Sequence, residues 1–172
     1  MTGRAGLASG LAMDLTLPGT ELSVRVVRQC AGLTLPGVGC LPSLVEDAAA
    51  VLGELAGNAV RHTASGRPGG VFTVEVWRET TDVGRAVVSV AVHDAGSAAY
   101  PVLRPVSESA EGGRGLLLVA GLASRWGVME TGAMGGGRVV WAELDAGTAP
   151  PMPVSLVVPR PRRRRPVRGC RA

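Results

Sequence analysis

Glu54, Asn58 and His62 stand four residues apart in the run Glu54-Leu55-Ala56-Gly57-Asn58-Ala59-Val60-Arg61-His62. On a helix, side chains four apart share a face, so these residues line up a carboxylate, an amide and an imidazole. Glu54 has the chemistry of a general base; as a bland alternative it is a solvated surface acid. Asn58 offers an amide oxygen, a ligand type that Mg²⁺ accepts beside phosphate. Otherwise it is an exposed helical Asn, slightly unfavourable in a helix interior. His62 suits a phosphate contact or, equally, a helix C-terminus, where a cation is favoured.

Two later segments supply complementary groups. In His93-Asp94-Ala95-Gly96, an Asp at a strand end can accept hydrogen bonds from an exocyclic amine, and Gly96 lets backbone approach a flat ring. Alternatively, Asp94 only opens a turn with its side chain on nearby backbone N–H groups. In Gly112-Gly113-Arg114-Gly115-Leu116, glycines lead directly into an apolar helix, whose first N–H groups suit phosphate, and Arg114 can pair with a phosphate oxygen. The plain alternative is a flexible loop ending. Taken together, the three segments suggest a nucleotide site.

The elements that must position these groups follow from periodicity and turn residues. Leu11 to Leu17 reads as an edge strand stopped by Pro18-Gly19. Thr20 caps a helix over about 21–32, with Leu22, Val26 and Cys30 on one side. After a Gly/Pro connector, Ser43 and Glu46 form a capping box for a helix running to about His62. Its apolar stripe is Leu44, Ala48, Val51, Leu52, Leu55 and Ala59. Three glycines and a proline make 63–70 a loop. Strands 71–77 and 86–93 form an antiparallel hairpin, and residues 94–112 form a long loop of the functional kind. A helix over 115–124 follows, with Leu116, Val119, Ala120 and Ala123 inward. A last hairpin of 126–131 and 138–144 closes the domain. The fold class is therefore α+β, a two-layer sandwich with a mostly antiparallel mixed sheet and helices on one face. Residues 1–10 read as disordered, 11–145 as the domain, and 146–172 as a disordered Pro/Arg-rich tail.

Composition narrows the chemistry. The 172 residues contain no lysine; all 18 basic residues are Arg. A P-loop, an ordinary protein-kinase fold and pyridoxal-phosphate chemistry each need a lysine and are excluded. The net charge of +4 hides an asymmetry: seven Arg follow residue 159, whereas before it eleven Arg face 14 acids, a net of −3. Nucleic-acid contact is therefore expected only weakly, through the tail, where no aromatic residue provides a stacking platform. Cys30, Cys40 and Cys170 are widely spaced and read as reduced thiols. A zinc set of Cys30, Cys40, His62 and His93 matches no usual ligand spacing. No apolar run reaches the roughly 18 residues needed to span a bilayer, and no signal-peptide pattern is present, so a cytoplasmic protein is expected.

The order and spacing of the three segments resemble the Bergerat-type ATP-binding fold of histidine kinases, gyrase-like ATPases, Hsp90-like chaperones and MutL-like proteins. More closely, the chain is similar to the small single-domain bacterial anti-sigma factors with serine-kinase activity. The matching run extends from Pro18-Gly19 to Leu144. Besides the three segments, it includes Arg125-Trp126-Gly127 and Gly137-Arg138-Val139-Val140-Trp141-Ala142-Glu143-Leu144.

The resemblance implies ATP and Mg²⁺ as cofactors, with Asn58 holding the metal and Glu54 acting as base toward a partner's serine. It implies that Asp94 reads adenine above Gly96. Arg61 and His62 would contact nucleotide, residues 97–112 would form a lid, and Gly113, Arg114, Gly115 and Leu116 would surround the phosphates. Implied partners are a sigma factor and an anti-anti-sigma factor, and related proteins often form homodimers. Related chains often carry a Thr supporting the adenine-binding Asp; Val139 is read as its equivalent here. The resemblance thus implies a kinase, and the alternative is an ATP-binding module that acts only by sequestering partners. A histidine-kinase fragment would need a phosphoacceptor His outside the motifs, and His62 and His93 both lie inside them.

Overall fold

A computed structural model describes residues 10–81, 84–97, 114–131 and 136–145. Its elements are β1 (Gly10–Pro18), α1 (Glu21–Gly37), α2 (Pro42–His62), a single 3-10 turn (Ala64–Gly66), β2 (Val71–Thr80), β3 (Ala86–Asp94), α3 (Arg114–Leu122), β4 (Arg125–Glu130) and β5 (Arg138–Asp145). The order strand, helix, helix, hairpin, helix, hairpin is the one expected. The five strands form one sheet in the order β1-β2-β3-β5-β4. All four pairings are antiparallel, where the sequence reading allowed a mixed sheet.

Alternation along the strands creates the two faces. Phe72, Val74, Val76, Val88, Val90, Val92, Ala142 and Leu144 are buried on the helix-covered face. Their odd-numbered neighbours Thr73, Glu75, Trp77, Ser89 and Ala91 occupy the other. Leu44, Ala48, Val51, Leu52, Leu55 and Ala59, the stripe read from sequence, are all buried. They place α2 in contact with α1, α3, β2, β3 and β5, making it the central packing element.

Several local readings change. Thr20 does cap α1, its hydroxyl accepting from Ser23 N at 3.2 Å. The helix then runs five residues beyond the expected end, because its buried stripe of Val24, Val27, Ala31 and Leu35 outweighs the modest cost of Gly32. Leu22, expected on the inner side, is 68% exposed, while Val26 and Cys30 flank the stripe. The chain leaves α1 through Gly39 at φ 77. No Ser43 capping box forms: Pro42 takes the first helical position, Leu41 is the cap residue, and no side chain caps it. Proline's fixed φ favours that position and moves Ser43 into the first turn. Helix α3 starts at Arg114 and ends at Leu122; Leu116, Val119 and Ala123 are buried as expected, with Ala120 only half-buried. Strand β1 begins at Gly10, inside the span read as disordered. The remaining expected disorder, residues 1–9 and 146–172, lies outside the described residues, as does Cys170. Cys30 and Cys40 are free thiols. Among the described residues, no helix is long and apolar enough to cross a membrane.

The core account makes a quantitative contrast. Phe72 is 1% exposed and Leu33 is 81% exposed. Phe72→Ala should cost about 3–5 kcal/mol in urea denaturation, and Leu33→Ala should stay within about 0.5 kcal/mol of the parent.

Candidate functional site

The C-terminal end of α2 and the exit of β3 are joined by reciprocal hydrogen bonds. Thr63 ends α2, its hydroxyl donating to Ala59 O at 2.6 Å and accepting from Ser65 N at 3.1 Å. This turns the chain into the 3-10 turn. Ser65 is fully buried; its Oγ accepts from Ala95 N at 2.9 Å, while Ala64 N donates to Gly96 O at 2.9 Å. The turn is packed so closely that Cβ atoms on Gly19 or Gly70 would collide with the Ser65 carbonyl oxygen, and one on Gly66 with Val60 O. These glycines are required by backbone approach.

At this junction lies a cleft of about 590 Å³ lined by Arg61, His62, Thr63, Ala64, Arg67, Ala95, Gly96 and Ser97. Its size falls within the roughly 300–1,000 Å³ of small-molecule sites. Arg61 folds back along α2: a Cβ on Gly57 would lie 2.6 Å from its Nη2. Arg61 Nη1 also meets Glu21 Oε1 at 3.5 Å across the surface. With both side chains about half exposed, that pair contributes roughly 0–1 kcal/mol, so a multivalent anion in the cleft can replace it.

The expected site residues are distributed unevenly. Arg61, His62 and Gly96 line the cleft. Glu54 and Asn58 sit half-buried along the same α2 face, leading away from it. The Glu54 carboxylate packs against Gly115 so closely that a Cβ there would strike its Oε2. Leu116 is buried in the core. Arg114 is the first residue of α3. Gly113 and residues 98–112 of the expected lid lie outside the described residues, while Ser97, the first lid residue, lines the cleft. Arg67 lines the cleft and was missed from sequence; its only signal was a cation within the Gly/Pro-rich loop 63–70. His93 points away from the cleft: it shares the outer sheet face with Glu75, 3.6 Å from its Nε2. No three of His, Cys, Asp and Glu among the described residues are grouped to hold a metal, so the conceivable zinc set is not assembled.

Asp94 ends β3 and is 9% exposed. Its Oδ1 accepts from Gly96 N at 2.7 Å, the turn that the plain reading foresaw. Gly96 takes φ 70, which a side chain would strain. Burial raises the Asp94 carboxyl above its ordinary 3.8, while the Gly96 N–H, Arg138 and His93 pull it back down. The β3–β5 register pairs Asp94 with Arg138 and His93 with Val139. Directly paired residues share a face. Arg138 therefore occupies the place directly opposite Asp94, and Val139, read from sequence as the equivalent of the supporting Thr, pairs with His93 instead. Arg138 is 5% exposed, and its Nη2 donates to Ser97 O at 3.0 Å.

Residues 17–143 match the histidine kinase-like ATPase domain family. Among solved structures, the RsbU and RsbW domains of Rv1364c from Mycobacterium tuberculosis align over 86% of this chain and 34% of that chain. The identity is 22% and the TM-score 0.54. This chain thus spans about a third of that protein's length. The SiaB–SiaC complex from Pseudomonas aeruginosa aligns over 78% of this chain and 90% of that chain, with 18% identity and a TM-score of 0.50. Among curated proteins, no sequence matches.

Two outcomes follow from the junction. Ser65→Ala leaves the Ala95 N–H without its acceptor. It should cost about 1–3 kcal/mol and abolish protection of the Ala95 amide in hydrogen exchange. Asp94 holds its proton more tightly folded than unfolded, so its stabilising contribution is complete below 3.8 and is lost as pH rises through the raised value. Asp94→Asn keeps an acceptor for Gly96 and removes this loss. Denaturation midpoints should therefore show wild type losing ground to the variant as pH rises above 3.8.

Proposed function

The chain belongs to the histidine kinase-like ATPase domain family, and on that premise we propose that it is a cytoplasmic anti-sigma factor that binds ATP with Mg²⁺. In this reading it sequesters a sigma factor and phosphorylates a serine of an anti-anti-sigma antagonist. The observation that carries the nucleotide reading is the cleft at the α2–β3 junction. Its wall holds Arg61, His62 and Arg67 beside the backbone of Ala95, Gly96 and Ser97. Cationic side chains suit phosphates, and a glycine-containing turn suits a flat base.

When bound, ATP supplies the γ-phosphoryl group. The chain's own residues supply position and charge, which dominate phosphoryl transfer. Arg61 and Arg67 offset phosphate charge, and a ring N–H of His62 can donate a hydrogen bond to a phosphate oxygen. Asn58 offers its amide oxygen as a Mg²⁺ ligand. Asp94, oriented by Gly96 N–H, accepts a hydrogen bond from the exocyclic amine of adenine. Glu54 takes the proton from the acceptor serine. Phosphoserine adds about −1.5 to −2 charges, which disrupts the antagonist's contact with this chain. The resemblance of the motifs to anti-sigma kinases supports the partner classes. So does the likeness in fold to an RsbW domain and to a SiaB chain solved with SiaC.

A second reading is an ATP-binding module that sequesters partners without transfer. The packing of the Glu54 carboxylate against Gly115 favours it, because a base held there is not directed at a partner's hydroxyl.

Calorimetry with and without Mg²⁺, followed by transfer from γ-labelled ATP to the cognate antagonist, separates these readings. The kinase reading expects Mg²⁺-dependent ATP binding and label on serine. It also expects that Glu54→Ala lowers transfer by about 100-fold or more with affinity nearly unchanged, and that Asn58→Ala erases the Mg²⁺ dependence. Binding without transfer establishes the module; no ATP binding removes both readings.

A further inference from the structure

We propose that the outer face of the sheet, at the β1–β2 edge, is a docking site for the chain's own arginine-rich segment, residues 160–168. The inference is independent of the nucleotide reading, because this face lies across the sheet from the helices.

Two neighbouring rungs define the site. Leu11 pairs with Trp77, and Asp14 pairs with Glu75. Glu75 and Trp77 are two residues apart on one strand and so share the outer face. Leu11 is 48% exposed and Trp77 41%, so this end of the face is open and apolar. Asp14 is exposed and Glu75 half-buried. Carboxylates directly opposite each other on a sheet repel. His93 Nε2 stands 3.6 Å from Glu75 Oε1, but an imidazole offsets charge only when protonated. Farther along the face, Glu143 meets Arg125 at 3.5 Å and Asp145 meets Arg85 at 3.8 Å. Among the described residues, the Asp14–Glu75 rung meets no arginine.

An acid pair beside an exposed indole fits a guanidinium. Arginine stacks on the face of Trp and pairs with carboxylates through the same planar group. The chain supplies such groups in Arg160-Pro161-Arg162-Arg163-Arg164-Arg165-Pro166-Val167-Arg168, and no acid follows Asp145. Pro166 and Val167 suit the apolar rung.

Reach favours this occupant. Asp145 ends β5. Glu143, two residues earlier, lies opposite Ser89, which lies opposite Trp77. Trp77 is thus two strands from β5, about 10 Å across the sheet. The 15 residues from Asp145 to Arg160 extend to about 50 Å, and a tethered segment docks at an effective concentration on the order of millimolar. Charge argues against a second copy of the sheet face, because two-fold pairing would set the same acids against each other.

The test uses assigned ¹H–¹⁵N spectra of the full chain. It compares wild type with a variant carrying Arg160→Gln, Arg162→Gln, Arg163→Gln, Arg164→Gln and Arg165→Gln together, all outside the folded domain. The Trp77 indole N–H and the Asp14 and Glu75 amides should differ between the two, while the amide of Leu33 on α1 should not. Salt screens exposed charge pairs, so 1 M NaCl should move the wild-type signals to the variant's positions. Asp14→Asn with Glu75→Gln should shrink the shift that the tail substitutions produce at the Trp77 indole. Identical spectra for wild type and the tail variant would overturn the inference. So would differences that persist in 1 M salt, or that vanish on dilution and thereby assign the contact to the tail of a second copy.

Discussion

The site depends on the tie between the end of α2 and the exit of β3. Ser65 Oγ receives Ala95 N, and Gly96 O receives Ala64 N. These bonds lie in buried surroundings, where an unmade hydrogen bond costs more than a made one contributes. The arrangement is therefore close to all-or-none. It sets the helical groups Arg61 and His62 opposite the turn that carries Asp94. Gly19, Gly66 and Gly70 allow it, since side chains at these positions would collide with backbone that cannot retreat. Without the tie, the motifs would be separate features on a helix and on a strand.

Electrostatics on the two sides of that tie differ in kind. On the α2 side, Arg61 is exposed and, among the described residues, engaged by a weak surface pair with Glu21, so its guanidinium can be recruited by a stronger anion. On the β3 side, Asp94 and Arg138 are buried and held by backbone partners, so their geometry is set before any ligand arrives. An adaptable wall carrying Arg61 and Arg67 beside the preorganised Ala95–Gly96–Ser97 turn suits a ligand with a highly charged end and a flat end. Preorganisation at the flat end limits the ordering cost of binding.

Much of this was legible in the sequence because it rests on periodicity. The α2 stripe from Leu44 to Ala59 identified the buried face of that helix, and the turn residues separated the elements in the right order. Boundaries governed by competition between local and tertiary effects were less legible. Gly32 seemed to end α1, but burial of Leu35 carries the helix past it. Ser43 and Glu46 matched a capping box, but Pro42 starts α2 first. Register was the least legible property. One residue decides whether Arg138 or Val139 faces Asp94, and nothing local in Gly137-Arg138-Val139-Val140 settles which. The β3 partner does. Arg67 escaped notice because its position comes from the compact turn at 64–66, a tertiary feature. His93, adjacent to the key carboxylate in sequence, lies on the opposite sheet face for the same period-two reason.

The central claim is that one ligand spans the α2–β3 junction, base toward Asp94 and phosphates toward the cationic wall. The most direct measurement is a crystal structure with a non-hydrolysable ATP analogue. The account predicts the adenine amine within hydrogen-bond distance of Asp94, and phosphate oxygens within reach of Arg61, His62 or Arg67. An analogue bound elsewhere, or one whose base lies away from the Asp94–Gly96 turn, would contradict it.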